Sequence, residues 1–381
     1  MDAFKNECED KRLMSAVNQD TTYTEFFEKF QSKNEPVLIR NVTSDWECMK
    51  LWMNNGSPDF QYLNRRYGDL PVTLINCKKK QADNNNEKCL TWKFNEYLEY
   101  WQKYETAIDM PLLYLKDWHL KNQFPDDNFY TVPHQFRCDW LNEYLVENSL
   151  DDYRFVYMGV KGTWTPFHAD VMSSYSWSVN VCGKKFWFLL PPDEEKQYFD
   201  SLGNLPSSIL HHTCDNYIHV VQGPGDAVFV PSNWYHIVCN EMDTISINHN
   251  WINGSNLPTM WNSMHKHLSE VKEKINDCQD MENFLDHCQL LLRTSFGFNF
   301  EDLYKLISYI ARKRICFLSG GKNVQLMDGS ALEESQAKSD LEVLKFVLCQ
   351  LLVHDDVEKL TVFGSLNESM TTLLNEMLIF I

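Results

Sequence analysis

The stretch GTWTPFHADV, residues 162–171, places a histidine and an aspartate two positions apart in a segment rich in aromatic and β-branched residues. On a β-strand, residues i and i+2 point to the same side of the sheet, so the side chains of His168 and Asp170 would be neighbours. An imidazole and a carboxylate can bind a metal ion together, but such a pair is more often a hydrogen-bonded core histidine. The pair alone leaves both interpretations open.

A third candidate ligand follows in GPGDAVFVPSNWYHIV, residues 223–238, where an apolar strand ends at Pro231 and delivers His236 beside two aromatic residues. Two neutral imidazoles and one carboxylate form the facial triad, which holds Fe(II) on one side and leaves the opposite positions open. His168 and His236 are 68 positions apart. This separation suits ligands on different strands of one barrel and excludes a compact zinc finger. Together the residues indicate an open, catalytic metal site.

A competing cluster lies in HHTCDNYIH, which contains His211, His212, Cys214 and His219. Histidine and thiolate ligands suit zinc, but the spacing matches no common zinc finger and a second thiolate is missing. We therefore interpret this cluster as structural or exposed.

A lysine in CGKKFWFLLPP is the next residue whose position could matter chemically. If Lys185 shares a strand face with Trp187 and Leu189, its ammonium group projects among apolar side chains. A buried lysine needs a carboxylate or an anionic ligand, because an unpaired buried charge is costly. An exposed cation at a strand edge is the alternative. Lys184, on the opposite face, is expected to point to solvent.

The elements that would position these residues are short strands separated by turns. Between residues 111 and 254 the strand candidates are PLLYLKDWHL, RFVYMGV, SWSVNVC, KFWFLLPP, YIHVV, DAVFVPS and TISINHNW, a spacing typical of a β-barrel or sandwich. SWSVNVC alternates cleanly, with a polar face of Ser176, Ser178 and Asn180. This face either lines a wet cavity or faces solvent.

The regions on either side of these strands have different sequence patterns. Upstream, TYTEFFEKFQSK and TWKFNEYLEYWQKY show helical spacing, EPVLIRNV and YGDLPVTLINC predict strands, and KKKQADNNNEK predicts a surface loop. After residue 254, five segments show apolar residues at three- and four-residue intervals and predict helices. We therefore expect a lead-in with a short helix over residues 1–34, a catalytic domain over 35–254, and a helical extension over 255–381.

The composition of the chain indicates which kinds of partner it could bind and in which cellular compartment it would be found. A net charge of −18 disfavours binding to nucleic acid or anionic lipid. The amino terminus lacks the apolar core of a secretory signal, and no apolar run is long enough to span a membrane. Twelve cysteines without regular spacing fit reduced thiols. We expect a cytoplasmic protein, or one that is also nuclear.

These segments together resemble the JmjC family of 2-oxoglutarate-dependent oxygenases. The resemblance covers roughly residues 35–254, and it is most specific where the HxD motif, the SYSWSVNVCG strand and the lysine keep the order and spacing of the family. It implies a mainly β fold with α elements. The expected architecture is a double-stranded β-helix (cupin) barrel with flanking N-terminal helices and strands and a C-terminal helical extension.

The resemblance also implies a role for each candidate residue. The implied ligands of Fe(II) are His168, Asp170 and His236. Lys185 matches the lysine that pairs with the distal carboxylate of 2-oxoglutarate, a charge-assisted contact. Further contacts to this co-substrate are implied for Thr165, Tyr114 and Asn248, and for Ser178, where some relatives carry asparagine. O2 would be the second co-substrate.

Within the family, the sequence is similar to a lysyl hydroxylase that acts on the eukaryotic translation termination factor. This implies hydroxylation of a lysine side-chain carbon, with conversion of 2-oxoglutarate to succinate and CO2. Two alternatives stay open: a histone N-methyl-lysine demethylase with the same chemistry, and a non-catalytic cupin scaffold. We expect a monomer, or a homodimer formed through the helical tail, without direct contact with nucleic acid or membrane.

Overall fold

A computed structural model describes residues 12–78, 89–201, 203–210, 216–364 and 367–381 of the chain. Most of the predicted loop KKKQADNNNEK lies outside these residues. So do three members of the alternative zinc cluster, namely His211, His212 and Cys214.

The chain forms two compact units. The first unit comprises Met1–Gln135, Asp151–Asp170 and Ser176–Asn250. The second unit comprises Phe136–Leu150, Val171–Tyr175 and Trp251–Ile381.

Strands dominate the first unit. In chain order, the strands of the described residues are β1 Ser15–Asn18, β2 Val37–Arg40, β3 Met53–Asn54, β4 Ser57–Pro58, β5 Pro71–Asn76, β6 Cys89–Lys93, β7 Leu113–Trp118, β8 Arg154–Gly159, β9 Trp164–His168, β10 Tyr175–Cys182, β11 Lys185–Leu190, β12 Ile218–Gln222, β13 Ala227–Val230, β14 Tyr235–Asn240 and β15 Thr244–Trp251. Nine of them form a sheet in the order β1-β2-β13-β10-β15-β8-β7-β5-β6. A second sheet has the order β12-β11-β14-β9, and β3 pairs with β4.

The core of this unit lies between the two larger sheets. One buried apolar cluster combines residues of the nine-stranded sheet, such as Val228 and Val230, with residues of the four-stranded sheet, such as Trp187 and Leu189. A second cluster covers the other face of the four-stranded sheet, so every residue of β11 is buried. Two facing sheets around one core confirm the expected double-stranded β-helix.

The turn between β10 and β11 requires glycine. Gly183 has φ +76°, and a Cβ atom added there would lie 2.1 Å from the backbone oxygen of Asp243. No other residue fits such a close backbone approach at positive φ. The turn fixes the start of β11 and hence the position of Lys185, while Lys184 points to solvent as expected.

Helices flank the strands in the first unit and form most of the second. The α-helices of the described residues are α1 Tyr23–Phe26, which continues as a π-helix over Phe27–Gln31, α2 Cys48–Leu51, α3 Phe60–Tyr67, α4 Phe94–Lys103, α5 Leu120–Gln123, α6 Trp140–Glu147, α7 Leu257–Lys274, α8 Phe284–Phe296, α9 Phe300–Leu318, α10 Glu334–Leu352 and α11 Asn367–Met377. The helices predicted upstream and after residue 254 are therefore present. Among the described residues, none of these helices has the length and apolar character needed to cross a bilayer.

A buried arginine ties three helices of the second unit together. Arg314 on α9 is fully buried and forms ion pairs with Glu143 of α6 and Asp340 of α10, both at 2.9 Å. The two carboxylates raise the pKa of Arg314 against the opposing effect of burial. Glu143 also pairs with the half-buried Lys313 at 2.7 Å, so loss of Arg314 would deprive the buried Asp340, and not Glu143, of its ion-pair partner.

Candidate metal centre

Two neighbouring strands bring the candidate histidines together. β9 and β14 pair antiparallel, and His168 lies directly opposite His236. The two imidazole centroids are 4.3 Å apart, and the register shifts immediately after His236. Asp170 follows β9 by two residues. One potential ligand atom from each of these three residues lies within 4.8 Å of the other two, so a single ion could contact all three.

Hydrogen bonds orient both imidazoles for metal binding. Nδ1 of His168 lies 2.7 Å from the carbonyl oxygen of Pro166, and Nδ1 of His236 lies 3.0 Å from that of Trp234. A carbonyl oxygen only accepts, so each Nδ1 must carry the proton and donate it. Nε2 of each ring is then the unprotonated nitrogen that a metal ion requires.

The carboxylate is held in a similar way. Ser176 Oγ donates a hydrogen bond of 2.6 Å to Oδ2 of Asp170. This contact occupies one carboxylate oxygen and leaves Oδ1 for a metal ion. Outer hydrogen bonds of this kind orient metal ligands and usually contribute to metal affinity.

Electrostatics favour the neutral form of the first histidine. Burial, followed by the neighbouring His236, holds the pKa of His168 well below its ordinary value, although Asp170 acts in the opposite direction. A neutral imidazole is the form that binds a metal ion, so His168 would not have to lose a proton first.

All the predicted site residues line one cavity of about 60 Å³. They are Tyr114, Thr165, His168, Asp170, Ser178, Lys185, His236 and Asn248. The structure therefore brings the whole predicted set together, while the binding role of each residue stays a prediction. His219 of the alternative zinc cluster is not in this lining, and the only metal-ligand grouping found among the described residues is His168, Asp170 and His236.

Lys185 is deeply buried on the inner side of β11, with Trp187 and Leu189 on the same face. Its Nζ donates a 2.6 Å hydrogen bond to Ser246 Oγ, and it forms no ion pair within the described part of the chain. Burial, followed by the charge of Lys116, lowers the pKa of Lys185 to about 7. An anionic ligand would offset the free-energy cost of burying this charge, because it would supply an opposite charge beside the ammonium group.

The other predicted contacts surround the lysine. Asn248 donates a hydrogen bond of 3.1 Å to Ser246 Oγ, the atom that also accepts from Lys185. Tyr114 is almost fully buried, and burial raises the pKa of its hydroxyl, so this group remains protonated. Thr165 lies on β9, opposite Val238.

The polar face of β10 is turned into the protein and not to solvent. Ser178 and Asn180 are buried, and Ser178 Oγ has no hydrogen-bond partner among the residues that the structure describes. Trp177, on the other face, stacks on His249 with a centroid distance of 4.0 Å. The interpretation of SWSVNVC as the lining of a polar cavity therefore fits the structure, and the solvent-facing alternative does not.

The donor set fits an iron ion with a bound dicarboxylate. The three ligands are two imidazoles and one carboxylate, which leave coordination positions open on the other side of the ion. The Lys185 ammonium group and the Ser178 hydroxyl line the same cavity, and within the described part of the chain the first has no carboxylate partner and the second no hydrogen-bond partner. Such polar groups are rarely left unpaired in a native protein unless a ligand or water completes them.

Comparison with known proteins agrees with this geometry. The Cupin-like domain family matches residues 23–256. The Drosophila melanogaster "2-oxoglutarate and iron-dependent oxygenase JMJD4 homolog" is 40% identical over 357 residues, covering 84% of each chain. The Homo sapiens "2-oxoglutarate and iron-dependent oxygenase JMJD4" is 39% identical over 356 residues, covering 89% of this chain and 84% of the human protein.

The chain belongs to the JmjC family of 2-oxoglutarate- and iron-dependent oxygenases. A more distant family relative is the Arabidopsis thaliana "Arginine-specific demethylase JMJ20", which is 36% identical over 317 residues, covering 76% of this chain and 68% of that protein. The family expectation formed from the sequence is confirmed.

Sequence reasoning missed several residues of this oxygenase cavity. Lys116, Tyr157, Ser176 and His249 also line it. Lys116 stands two positions after Tyr114, so strand alternation could have placed it on the same face. Ser176 belongs to the polar face already recognised. Tyr157 and His249 carried no comparable signal, because their positions depend on strand pairing.

Proposed function

We propose that this protein is an Fe(II)- and 2-oxoglutarate-dependent hydroxylase of a lysine side-chain carbon in the eukaryotic translation termination factor. The observation that carries the proposal is one cavity lined by both the His168, Asp170 and His236 grouping and the buried Lys185. The names of the fruit fly and human relatives support the two cofactors. The choice of substrate rests on the resemblance alone.

In this proposal, one group of side chains would bind the metal ion and another would bind the co-substrate. Nε2 of His168, Nε2 of His236 and Oδ1 of Asp170 would hold iron, and Lys185 would bind the distal carboxylate of 2-oxoglutarate. Together with 2-oxoglutarate and O2, bound iron supplies the oxidising chemistry that inserts oxygen into a C–H bond. The protein supplies orientation and a site shielded from water, because the cavity lies between two packed sheets.

The choice between hydroxylation and demethylation depends on which substrate atom faces the metal. JMJ20 is named an arginine-specific demethylase, so the alternative deserves a test. Demethylation would place a cationic methylated nitrogen beside the metal. Among the described cavity-lining residues, Asp170 is the only carboxylate, while Lys116 and Lys185 are both cationic. This balance disfavours a cationic nitrogen and supports oxidation of a carbon further along the side chain.

We also propose that the protein is cytoplasmic, or both cytoplasmic and nuclear, and that it is a monomer or a homodimer formed through its C-terminal helices. The net charge of −18 supports a basic protein partner over nucleic acid.

The test is to incubate the purified protein with Fe(II), 2-oxoglutarate, O2 and the termination factor. Mass spectrometry should find a gain of about 16 Da, one oxygen atom, on a single lysine. Reactions with His236→Ala or without 2-oxoglutarate should give no such product. Succinate formation without hydroxylated factor would redirect the search to another substrate. Formaldehyde release from a methylated arginine or histone peptide would favour the demethylase.

A further inference from the structure

An additional lysine, Lys116, lines the candidate site beside a β-bulge. Leu115 of β7 pairs with Met158 of β8, but the next pair is Trp118 with Val156. Two residues, Lys116 and Asp117, therefore lie opposite one residue of β8. Asp117 has φ +54°, a left-handed conformation that one residue adopts in some types of bulge.

The bulge changes which side chains reach the cavity. Strict alternation would direct residues 114, 116 and 118 to the same face. Tyr114 and Lys116 do line the cavity, but Trp118 does not, and its ring packs against Phe94 at a centroid distance of 4.8 Å. Bulges beside active sites commonly redirect side chains in this way.

Tyr157, the residue opposite the bulge, has its aromatic ring close to both lysines of the cavity. Nζ of Lys116 lies 5.3 Å from the centre of the Tyr157 ring, and Nζ of Lys185 lies 5.8 Å from it. The tyrosine hydroxyl donates a 2.6 Å hydrogen bond to Asp117 Oδ1, and its ring meets Tyr114 edge-on at 5.9 Å. One aromatic ring, tethered by a bulge residue, therefore contacts two ammonium groups.

We propose that Lys116 is a second cationic contact for 2-oxoglutarate, held beside Lys185 by the tethered ring of Tyr157. This inference rests on the proposed function, because it assumes that the cavity binds this dicarboxylate. It adds a residue outside the segment that carries the HxD motif and Lys185.

The position of Lys116 favours the co-substrate over the protein substrate as its partner. Its ammonium group and that of Lys185 both lie against the ring of Tyr157, and both lysines line the cavity that contains the candidate metal ligands. A dicarboxylate that extends from Lys185 towards the candidate metal ligands would therefore lie close to the ammonium group of Lys116. The like charges of the two ammonium groups repel each other, so a dianion that binds beside both of them would stabilise both.

The experiment measures 2-oxoglutarate binding by calorimetry with Mn(II)-loaded protein, which reports affinity without turnover. Lys116→Met removes the charge but keeps the length of the side chain, and Lys116→Arg keeps the charge. Lys184→Met is the matched control, because it removes one exposed positive charge next to Lys185.

Lys116→Met should weaken 2-oxoglutarate binding about tenfold, the effect expected for loss of one charge-assisted contact. Lys116→Arg should retain most of the affinity, and Lys184→Met should bind as the wild type does. Mn(II) affinity should be the same in all four proteins. Because Lys116 is only half-buried, we expect each variant to fold, and Lys116→Gln provides a second neutral side chain.

Wild-type affinity in both Lys116→Met and Lys116→Gln would overturn the inference. It would also be overturned if these variants weakened binding of the protein substrate and left 2-oxoglutarate binding unchanged. Failure of the proposed function looks different: the wild-type protein would bind Mn(II) but not 2-oxoglutarate, and no variant would differ from it.

Discussion

The lowered pKa of Lys185 predicts that 2-oxoglutarate binding depends on pH. The free protein holds this lysine with a pKa of about 7, mainly because of burial and secondarily because of Lys116. Only the ammonium form pairs with a carboxylate, so binding must take up a proton when the solution is above pH 7. The neighbouring Tyr114 and Tyr157 have raised pKa values and stay neutral across this range.

The magnitude follows from the fraction of Lys185 that is protonated. Below pH 6 the lysine is charged and affinity should be constant. Above pH 7 the fraction of Lys185 that is charged falls about tenfold with each pH unit. The apparent dissociation constant of 2-oxoglutarate should therefore rise roughly a hundredfold between pH 6 and pH 9. This is an upper limit, because the neutral amine can still form a hydrogen bond.

Calorimetric titrations of Mn(II)-loaded protein at several pH values would measure this slope. Lys185→Arg should bind with little pH dependence, because a guanidinium keeps its charge throughout. Lys185→Met should bind weakly at every pH, and Lys184→Met should reproduce the wild-type slope. Equal wild-type affinity at pH 6 and pH 9, or an undiminished slope in Lys185→Arg, would refute the assignment of Lys185.

Further predictions concern stability and metal binding. Because the pKa of Lys185 in the folded protein lies below the value near 10.4 of an unfolded lysine, the free energy of unfolding should rise with pH between about 7 and 10 and be insensitive to this group below pH 7. Chemical denaturation of wild type and Lys185→Met would show whether this slope depends on the lysine. Ser176→Ala, which frees one oxygen of Asp170, should weaken metal affinity about tenfold or more in competition with a chelator, and unchanged affinity would contradict the orienting role of the hydroxyl. Arg314→Met should lower the unfolding free energy by about 3–5 kcal/mol, measured with urea, because it leaves the buried Asp340 without its ion-pair partner. Glu143 would keep its ion pair with Lys313, and a loss below about 1 kcal/mol would contradict this reasoning. Gly183→Ala should cost about 1–3 kcal/mol, since its φ is positive and its Cβ would clash with backbone, and wild-type stability would show that the turn can relax.

Local sequence patterns predicted the elements well where the pattern and the packing agree. The alternation in SWSVNVC identified a strand with one polar face, and the helical spacing after residue 254 identified the C-terminal helices. The spacing of HxD, Lys185 and His236 matched the family, and the structure brings these residues to one cavity. In these cases the residues follow the regular geometry of their own strand or helix, except Asp170, which lies two positions after the end of β9.

The features that escaped prediction depend on pairing between distant strands. Nothing in YLKDW shows that Lys116 and Asp117 together face the single residue Tyr157, because a bulge is defined by two strands. The hydrogen bond from Ser176 to Asp170 depends on a turn between them, where Met172 and Ser173 have positive φ. Asn and Asp are the non-glycine residues that most often adopt positive φ, so a methionine and a serine in this conformation could not be expected from the sequence.

The central claim is that His168, Asp170 and His236 form an iron centre that uses 2-oxoglutarate. The most direct measurement is the formation of succinate from 2-oxoglutarate by the purified protein with Fe(II), O2 and the termination factor. The account predicts succinate in step with hydroxylated factor for the wild type, and none for His236→Ala or after removal of metal. Equal succinate formation by His236→Ala would contradict the claim, as would a wild-type protein that binds neither metal nor 2-oxoglutarate.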